Sequence, residues 1–148
     1  MTPSRILDSI TRAAVHTIAM FSLYLLFAGH NAPGGGFVGG LVAGAALVLL
    51  YAGRGAEGVR SALGVRAEVV LGWGLILAGG TGAAALLLGG EFLESGYIER
   101  NLPLLGTVKV VSVLVFDTGV YLVVIGLVLA ALTTLGAEGE TDRGGEQA

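Results

Sequence analysis

The sequence predicts an all-α, polytopic membrane protein with four transmembrane helices. Hydrophobic residues make up 54% of the chain and charged residues only 13%, against about 25% charged residues in soluble domains. So few charges cannot cover the surface of a water-soluble domain of this size. Four apolar segments reach the roughly 20 residues that a helix needs to cross a bilayer, and none keeps the alternation of a membrane β-barrel.

The four predicted helices follow these apolar segments in order. Helices are the expected form because they satisfy their own backbone hydrogen bonds inside lipid. The first segment has no small-x-small cleavage site and leads through a short turn into the second, so we expect a helix rather than a signal peptide. The predicted spans are residues 10–28, 34–52, 69–89 and 105–135.

The chain is predicted to divide into a membrane domain and a short polar tail. Residues 1–136 contain all four spans, and residues 137–148 combine acidic side chains with glycines. This composition is typical of a disordered tail.

Basic residues predict the orientation. On one side of the membrane, the N-terminus, the connection between the second and third spans and the C-terminus together carry six arginines. The opposite side carries one basic residue, Arg100, beside Glu91, Glu94 and Glu99. Both termini are therefore expected in the cytoplasm. The six arginines are Arg5, Arg12, Arg54, Arg60, Arg66 and Arg143.

The composition also argues against several classes of function. The chain has no cysteine and two histidines, which excludes disulfides and thiol catalysis and leaves too few ligands for an ordinary zinc site. The net charge is −3, and no basic stripe suggests nucleic-acid binding. No catalytic triad or phosphate loop is present. We therefore expect no enzymatic activity, no cofactor and no metal.

A glycine-rich turn between the first two spans is the most distinctive segment. His30 and Asn31 are expected at the outer membrane interface, and Pro33 suits the first turn of a helix. Gly34-x-Gly36-x-x-Gly39 formally matches a dinucleotide fingerprint, but that fingerprint requires a preceding β-strand. A membrane span precedes it here, so the nucleotide interpretation is rejected.

The second span continues with a ladder of small residues. Gly36, Gly40 and Gly44 recur every four residues, with Gly35 and Gly39 beside them. Small residues at this spacing let helix backbones approach closely in membranes. Two interpretations remain open: close packing within this chain, or docking onto a helix of another subunit. The 26 glycines in the whole chain favour a partner in the membrane.

Three ionisable residues in the spans are candidate proton or cation relays, because charges inside a bilayer are costly. Asp117 is flanked by apolar sequence and lies about 20 Å along the helix from Leu104, near the middle of the bilayer. Lys109 lies eight residues earlier and is expected to reach the outer surface. His16 shares one face of the first span with Asp8 and Arg12 and is a candidate relay near the cytoplasmic side. For Asp117 and His16, structural hydrogen bonding is the competing interpretation.

Two segments resemble a known family. Residues 23–40, from Leu23 through the His30-Asn31-Ala32-Pro33 turn and the glycines, resemble the signature of the MnhB/MrpB-like subunit of Mrp-type cation/proton antiporters. Residues 114–122, around Asp117, resemble the same family's fourth-helix motif. The resemblance covers roughly residues 12–132. It implies functional importance for Asp117 and for the turn motif, Phe37 included.

The resemblance implies a small accessory subunit of a multisubunit Na⁺/H⁺ antiporter in the plasma membrane of a prokaryote. Its expected partners are other membrane subunits and lipid, with Na⁺ and H⁺ as the ions that the complex transports. The subunit is expected to serve assembly, with ion passage at a subunit interface as a second role. Two alternatives stay open: the equivalent subunit of an ion-translocating hydrogenase or related redox complex, and a stand-alone homo-oligomeric transporter.

Overall fold

The computed structural model describes residues 5–29, 34–87 and 103–145, and only the backbone of residues 85, 103–110 and 137–145. Each of its four helices contains a stretch that is long and apolar enough to cross a bilayer. This confirms the predicted fold class, while the cytoplasmic placement of the termini stays a prediction. The helices are α1 (Arg5–Ala28), α2 (Gly36–Leu63), α3 (Ala67–Leu87) and α4 (Pro103–Gly145).

The helices form an open row in the order α1, α2, α4, α3. Helix α4 packs against both α2 and α3, whereas α1 packs against α2 and touches α4 only marginally. Among the described residues, α3 does not pack against α1 or α2. Because the row is open, α1 and α3 each leave a long apolar side uncovered, which only lipid or another protein can cover in a membrane.

Helices α2 and α4 run in the same direction, and α1 and α3 run opposite to them. Gly36 lies beside Asp117 near the start of α2, and Gly44 lies beside Val128 two turns later. In α1 the order is reversed, since Thr11 lies beside Gly53 near the end of the α2 span.

Helix α2 contains a sharp kink at Gly55. This residue has a φ of 69°, a left-handed value that favours glycine and interrupts the helix. The membrane-spanning part of α2 therefore ends near Arg54, and residues 56–63 form a short second helix. Val59 in this segment is fully buried against Leu129 and Leu132 of α4 and their neighbours. The short helix thus covers one end of the row, the arginine-rich end, which carries Arg5, Arg12, Arg54, Arg60 and Arg66.

The backbone of α4 is helical as far as Gly145. It therefore includes residues 137–145, for which the sequence predicts a disordered tail. A helix that is already formed extends at little cost because nucleation is the unfavourable step. The division into a membrane domain and a tail stays a prediction.

Candidate functional site

The candidate site lies where the first turn of α2 meets the middle of α4. Gly35 precedes α2 with a φ of 98° and offers no side-chain cap to the helix. A Cβ atom at Gly35 would lie 3.4 Å from Oδ2 of Asp117. A Cβ atom at Gly36 would overlap the backbone carbonyl oxygen of Asp117. Two successive glycines therefore let α2 begin directly against the aspartate.

Electrostatics couple Asp117 to the start of α2. The first N–H groups of a helix lack partners within the helix and form the positive end of its dipole. The half-buried Asp117 carboxylate lies beside this end. The positive helix end attracts the negative charge of this carboxylate, so the two groups stabilise each other.

The helix packing also indicates where Asp117 lies along the axis of the row. Asp117 lies beside the first turn of α2, and α4 extends further in the direction of Pro103. From Gly36 to Arg54 the helix rises about 27 Å, close to the thickness of the hydrocarbon core. Seen from the arginine-rich end, Asp117 therefore lies at the far end of the α1–α2 hairpin.

A buried hydrogen bond one turn further along α4 joins α4 to α1. The hydroxyl groups of Ser22 and Tyr121 are 2.7 Å apart, and either can donate to the other. Ser22 is fully buried, and Tyr121 is 9% exposed. The bond passes α2 at Gly39, where a Cβ atom would lie 2.9 Å from the carbonyl oxygen of Ser22 and 3.4 Å from the Tyr121 ring. Gly39 thus provides the gap through which α1 and α4 reach each other.

The glycine ladder packs within the chain. A Cβ atom at Gly40 would lie 2.8 Å from Cβ of Val124, and one at Gly44 would lie 2.9 Å from a methyl group of Val128. Both valines belong to α4. Of the two interpretations of the ladder, the structure therefore favours internal packing between α2 and α4.

The turn between α1 and α2 is closed by the backbone. The N–H of Gly35 donates a hydrogen bond to the carbonyl oxygen of Leu25, at 3.1 Å. A Cβ atom at Gly34 would lie 2.9 Å from the same oxygen. Phe37 is 58% exposed on the outer side of α2. His30, Asn31 and Pro33 lie outside the described residues.

The other two relay candidates do not join this site. Lys109 lies in α4 eight residues before Asp117, about 12 Å away along the axis, and its side chain is not among those described. His16 lies toward the opposite end of α1, where its Nδ1 contacts the carbonyl oxygen of Arg12. The three candidates therefore do not form one cluster.

The arginine-rich end contains a contact that the sequence did not predict. Asp8 of α1 binds Arg54 of α2, with Nε at 2.8 Å from Oδ1 and a second contact through Nη2. Arg12 approaches the other oxygen of Asp8 at 3.2 Å. This ion pair joins the free ends of the α1–α2 hairpin.

Sequence reasoning also missed Ser22 and Tyr121. A serine in an apolar span and a tyrosine four residues after an aspartate were the available indications, but only the fold brings them together. In the described part of the chain, no group of three His, Cys, Asp or Glu side chains lies close enough to hold a metal ion.

Comparison with known proteins agrees with the resemblance in the sequence. Residues 6–130 match a family described as "Domain related to MnhB subunit of Na+/H+ antiporter". A Na(+)/H(+) antiporter subunit of Bacillus subtilis is 42% identical over 90% of this chain and 93% of its own. A Na(+)/H(+) antiporter subunit of Alkalihalophilus pseudofirmus is 39% identical over 88% of this chain and 90% of its own. With the match covering nearly all of the four helices, this chain belongs to the family of MnhB-related antiporter subunits.

Proposed function

We propose that this protein is a small accessory subunit of a multisubunit Na⁺/H⁺ antiporter in the plasma membrane of a prokaryote, with no enzymatic activity of its own. The observation that carries the proposal is the similarity, over nearly the full length, to proteins named as subunits of Na⁺/H⁺ antiporters. The open row of helices supports it, because uncovered apolar sides on α1 and α3 suit a chain that works among other subunits. The expected partners are those subunits and lipid.

Purification of the tagged chain from its native membrane in mild detergent tests this assignment. We expect large antiporter-type membrane subunits to co-purify with it. Redox subunits in their place would move the assignment to a hydrogenase-type complex, an alternative that the antiporter names of the relatives do not favour. A small homo-oligomer without other subunits would contradict the proposal and support a stand-alone transporter.

Within the complex, we assign Asp117 the role of a proton relay at the end of the α1–α2 hairpin. Its carboxylate is half-buried, lies against the start of α2 and is one turn from the buried Ser22–Tyr121 hydrogen bond. A carboxyl group is a side chain that can transfer a proton within a pathway of this kind. The competing role is structural, with Asp117 stabilising the uncapped first turn of α2.

The variant Asp117→Asn separates these roles, because asparagine keeps the shape and polarity of the side chain and loses its charge. We expect Na⁺-dependent proton flux in membrane vesicles to fall about tenfold or more if a proton-transfer group is removed. The matched control is Lys109→Ala on the same helix, for which a smaller loss is expected. Both variants must yield the same amount of complex. Wild-type flux in both would eliminate the relay role.

A further inference from the structure

His16 lies on the side of α1 that faces away from the other helices. Its side chain is exposed, whereas Thr11 and Ser22, on the opposite side of α1, are buried. In a water-soluble protein an exposed histidine needs no explanation. In a membrane span, the depth of an exposed histidine in the bilayer decides whether water, lipid or another protein surrounds its side chain.

The depth of His16 follows from its neighbours. Val15 packs against the buried cluster that contains Leu47 and Leu50 of α2. These leucines precede Arg54 by seven and four residues, which corresponds to about 6–10 Å along the helix. His16 therefore lies roughly this far inside the arginine-rich end. The charge distribution predicts that end at the membrane interface, which places His16 within the hydrocarbon core.

The hydrogen bond of His16 fixes where the ring hydrogen is. Nδ1 lies 2.7 Å from the backbone carbonyl oxygen of Arg12. A carbonyl oxygen can only accept, so Nδ1 carries the hydrogen and donates it. In the neutral imidazole, Nε2 then has a lone pair and accepts. No atom in the described part of the chain bonds to Nε2.

Among the described residues, no other helix offers a hydrogen-bond donor to Nε2 of His16. The ring lines a shallow recess whose described walls all belong to α1: Asp8, Ser9, Arg12, Ala13 and His16 itself. Arg12 directs its Nη2 to Asp8, 3.2 Å from Oδ2, and donates no hydrogen bond to the ring. Toward the other end of α1 the same side is apolar, with Met20, Leu23 and Phe27 exposed.

An acceptor without a partner is costly at this depth because lipid tails have no donors. We infer that this side of α1 packs against a transmembrane helix of another antiporter subunit, and that this helix presents a hydrogen-bond donor to Nε2 of His16. The donor is a hydroxyl, an ammonium or a protonated carboxyl group. The inference rests on the proposed function, since it requires another subunit, and it names the surface by which this chain binds one.

Substitution of His16 in the tagged, complete complex tests the inference. We expect His16→Leu to lower the yield of co-purifying antiporter subunits about threefold, the effect of one interhelical hydrogen bond in a membrane. His16→Gln, whose amide can replace Nε2, should retain most of the yield. Leu41→Met, an apolar exchange at an exposed position of α2 outside this side of α1, is the control and should give the wild-type yield. If the side faced lipid, His16→Leu would give the wild-type yield, and the inference would be wrong.

Photo-cross-linking identifies the occupant. With a photoreactive benzoylphenylalanine at Ala13, which lines the recess, we expect a covalent adduct with an antiporter subunit, mapped by mass spectrometry to a transmembrane helix. An adduct with lipid alone, in a complex that otherwise purifies intact, overturns the inference and leaves the proposed function standing. If the wild-type chain co-purifies with no antiporter subunit, the proposed function fails, and the inference fails with it.

Discussion

The glycines of α2 and those of α3 differ in what surrounds them. On α2, Gly36 and Gly40 face α4 so closely that an added Cβ atom would overlap or crowd it. On α3, an added Cβ at Gly72, Gly79, Gly80 or Gly82 would meet no atom of the described residues within 4 Å, apart from the backbone of α3 itself. The two helices are similar in composition and both rich in glycine. A high glycine content therefore shows that two helices can approach each other closely. Only the contacts in the folded chain show at which glycines they do.

The difference has a physical cause in the order of the row. Helix α2 lies between α1 and α4, and its glycines bring both neighbours close. Helix α3 lies at the end of the row and, among the described residues, packs against α4 alone. On α3, Gly74 is the buried exception, with a Cβ atom there 2.7 Å from the backbone nitrogen of Val123. Substitutions on the two helices can test this contrast, and the largest effect is expected at Gly36.

Gly36→Leu should prevent α2 from docking on α4. The obstacle is backbone, since the carbonyl oxygen and Cα of Asp117 occupy the space, and backbone cannot rotate away. We expect a destabilisation above the about 1–3 kcal/mol of ordinary overpacking, seen as loss of monodisperse protein in detergent. Gly79→Leu on α3 is the matched control and should purify normally. Equal yields of the two variants would remove the contrast.

Gly40→Val should have a smaller effect that a second substitution can reverse. Here the obstacle is a side chain, Val124, which can be shortened. We expect a loss of about 1–3 kcal/mol in stability, measured as a lower thermal transition in detergent. The double variant Gly40→Val with Val124→Ala should recover most of it. No recovery would show that α2 and α4 do not meet at this pair.

Tyr121→Phe should destabilise the chain by about 1 kcal/mol because Ser22 loses its buried partner. Adding Ser22→Ala should cost little more, since the two hydroxyl groups act as one unit. A double-mutant cycle on thermal stability measures this coupling. Strictly additive effects would mean that the bond across Gly39 does not form.

Gly79→Ala should have the smallest effect on the chain itself. The added methyl group meets no atom of the described residues, and alanine is favoured over glycine in a helix by up to about 1 kcal/mol. We expect unchanged or slightly raised thermal stability. A loss of stability in the isolated chain would show that this side of α3 is covered by the chain itself.

Much of the fold was predictable from the sequence. The four apolar segments correspond to α1–α4, since length and hydrophobicity alone decide whether a helix can span a bilayer. The kink at Gly55 and the short helix after it were not predicted, because a glycine in a polar connection does not reveal its backbone angles. The division of the chain into a membrane domain and a polar tail stays a prediction.

The candidate site was predicted only as separate parts. The sequence singled out Asp117 and the glycines from 34 to 44, because a carboxylate in an apolar span and a run of glycines are both costly unless something compensates for them. It left open whether the glycines pack within the chain, and it treated Asp117 and Gly36 as unrelated features.

Tertiary structure alone decided that these parts meet. Gly36 and Asp117 are far apart in the sequence, and no local periodicity relates them. Their contact depends on α2 and α4 being parallel neighbours, which the packing of side chains along whole helices determines. The sequence by itself thus determined the number and nature of the helices, because each helix satisfies its own backbone. Which helices touch, and through which residues, depends on contacts between distant segments, and only the folded chain shows them.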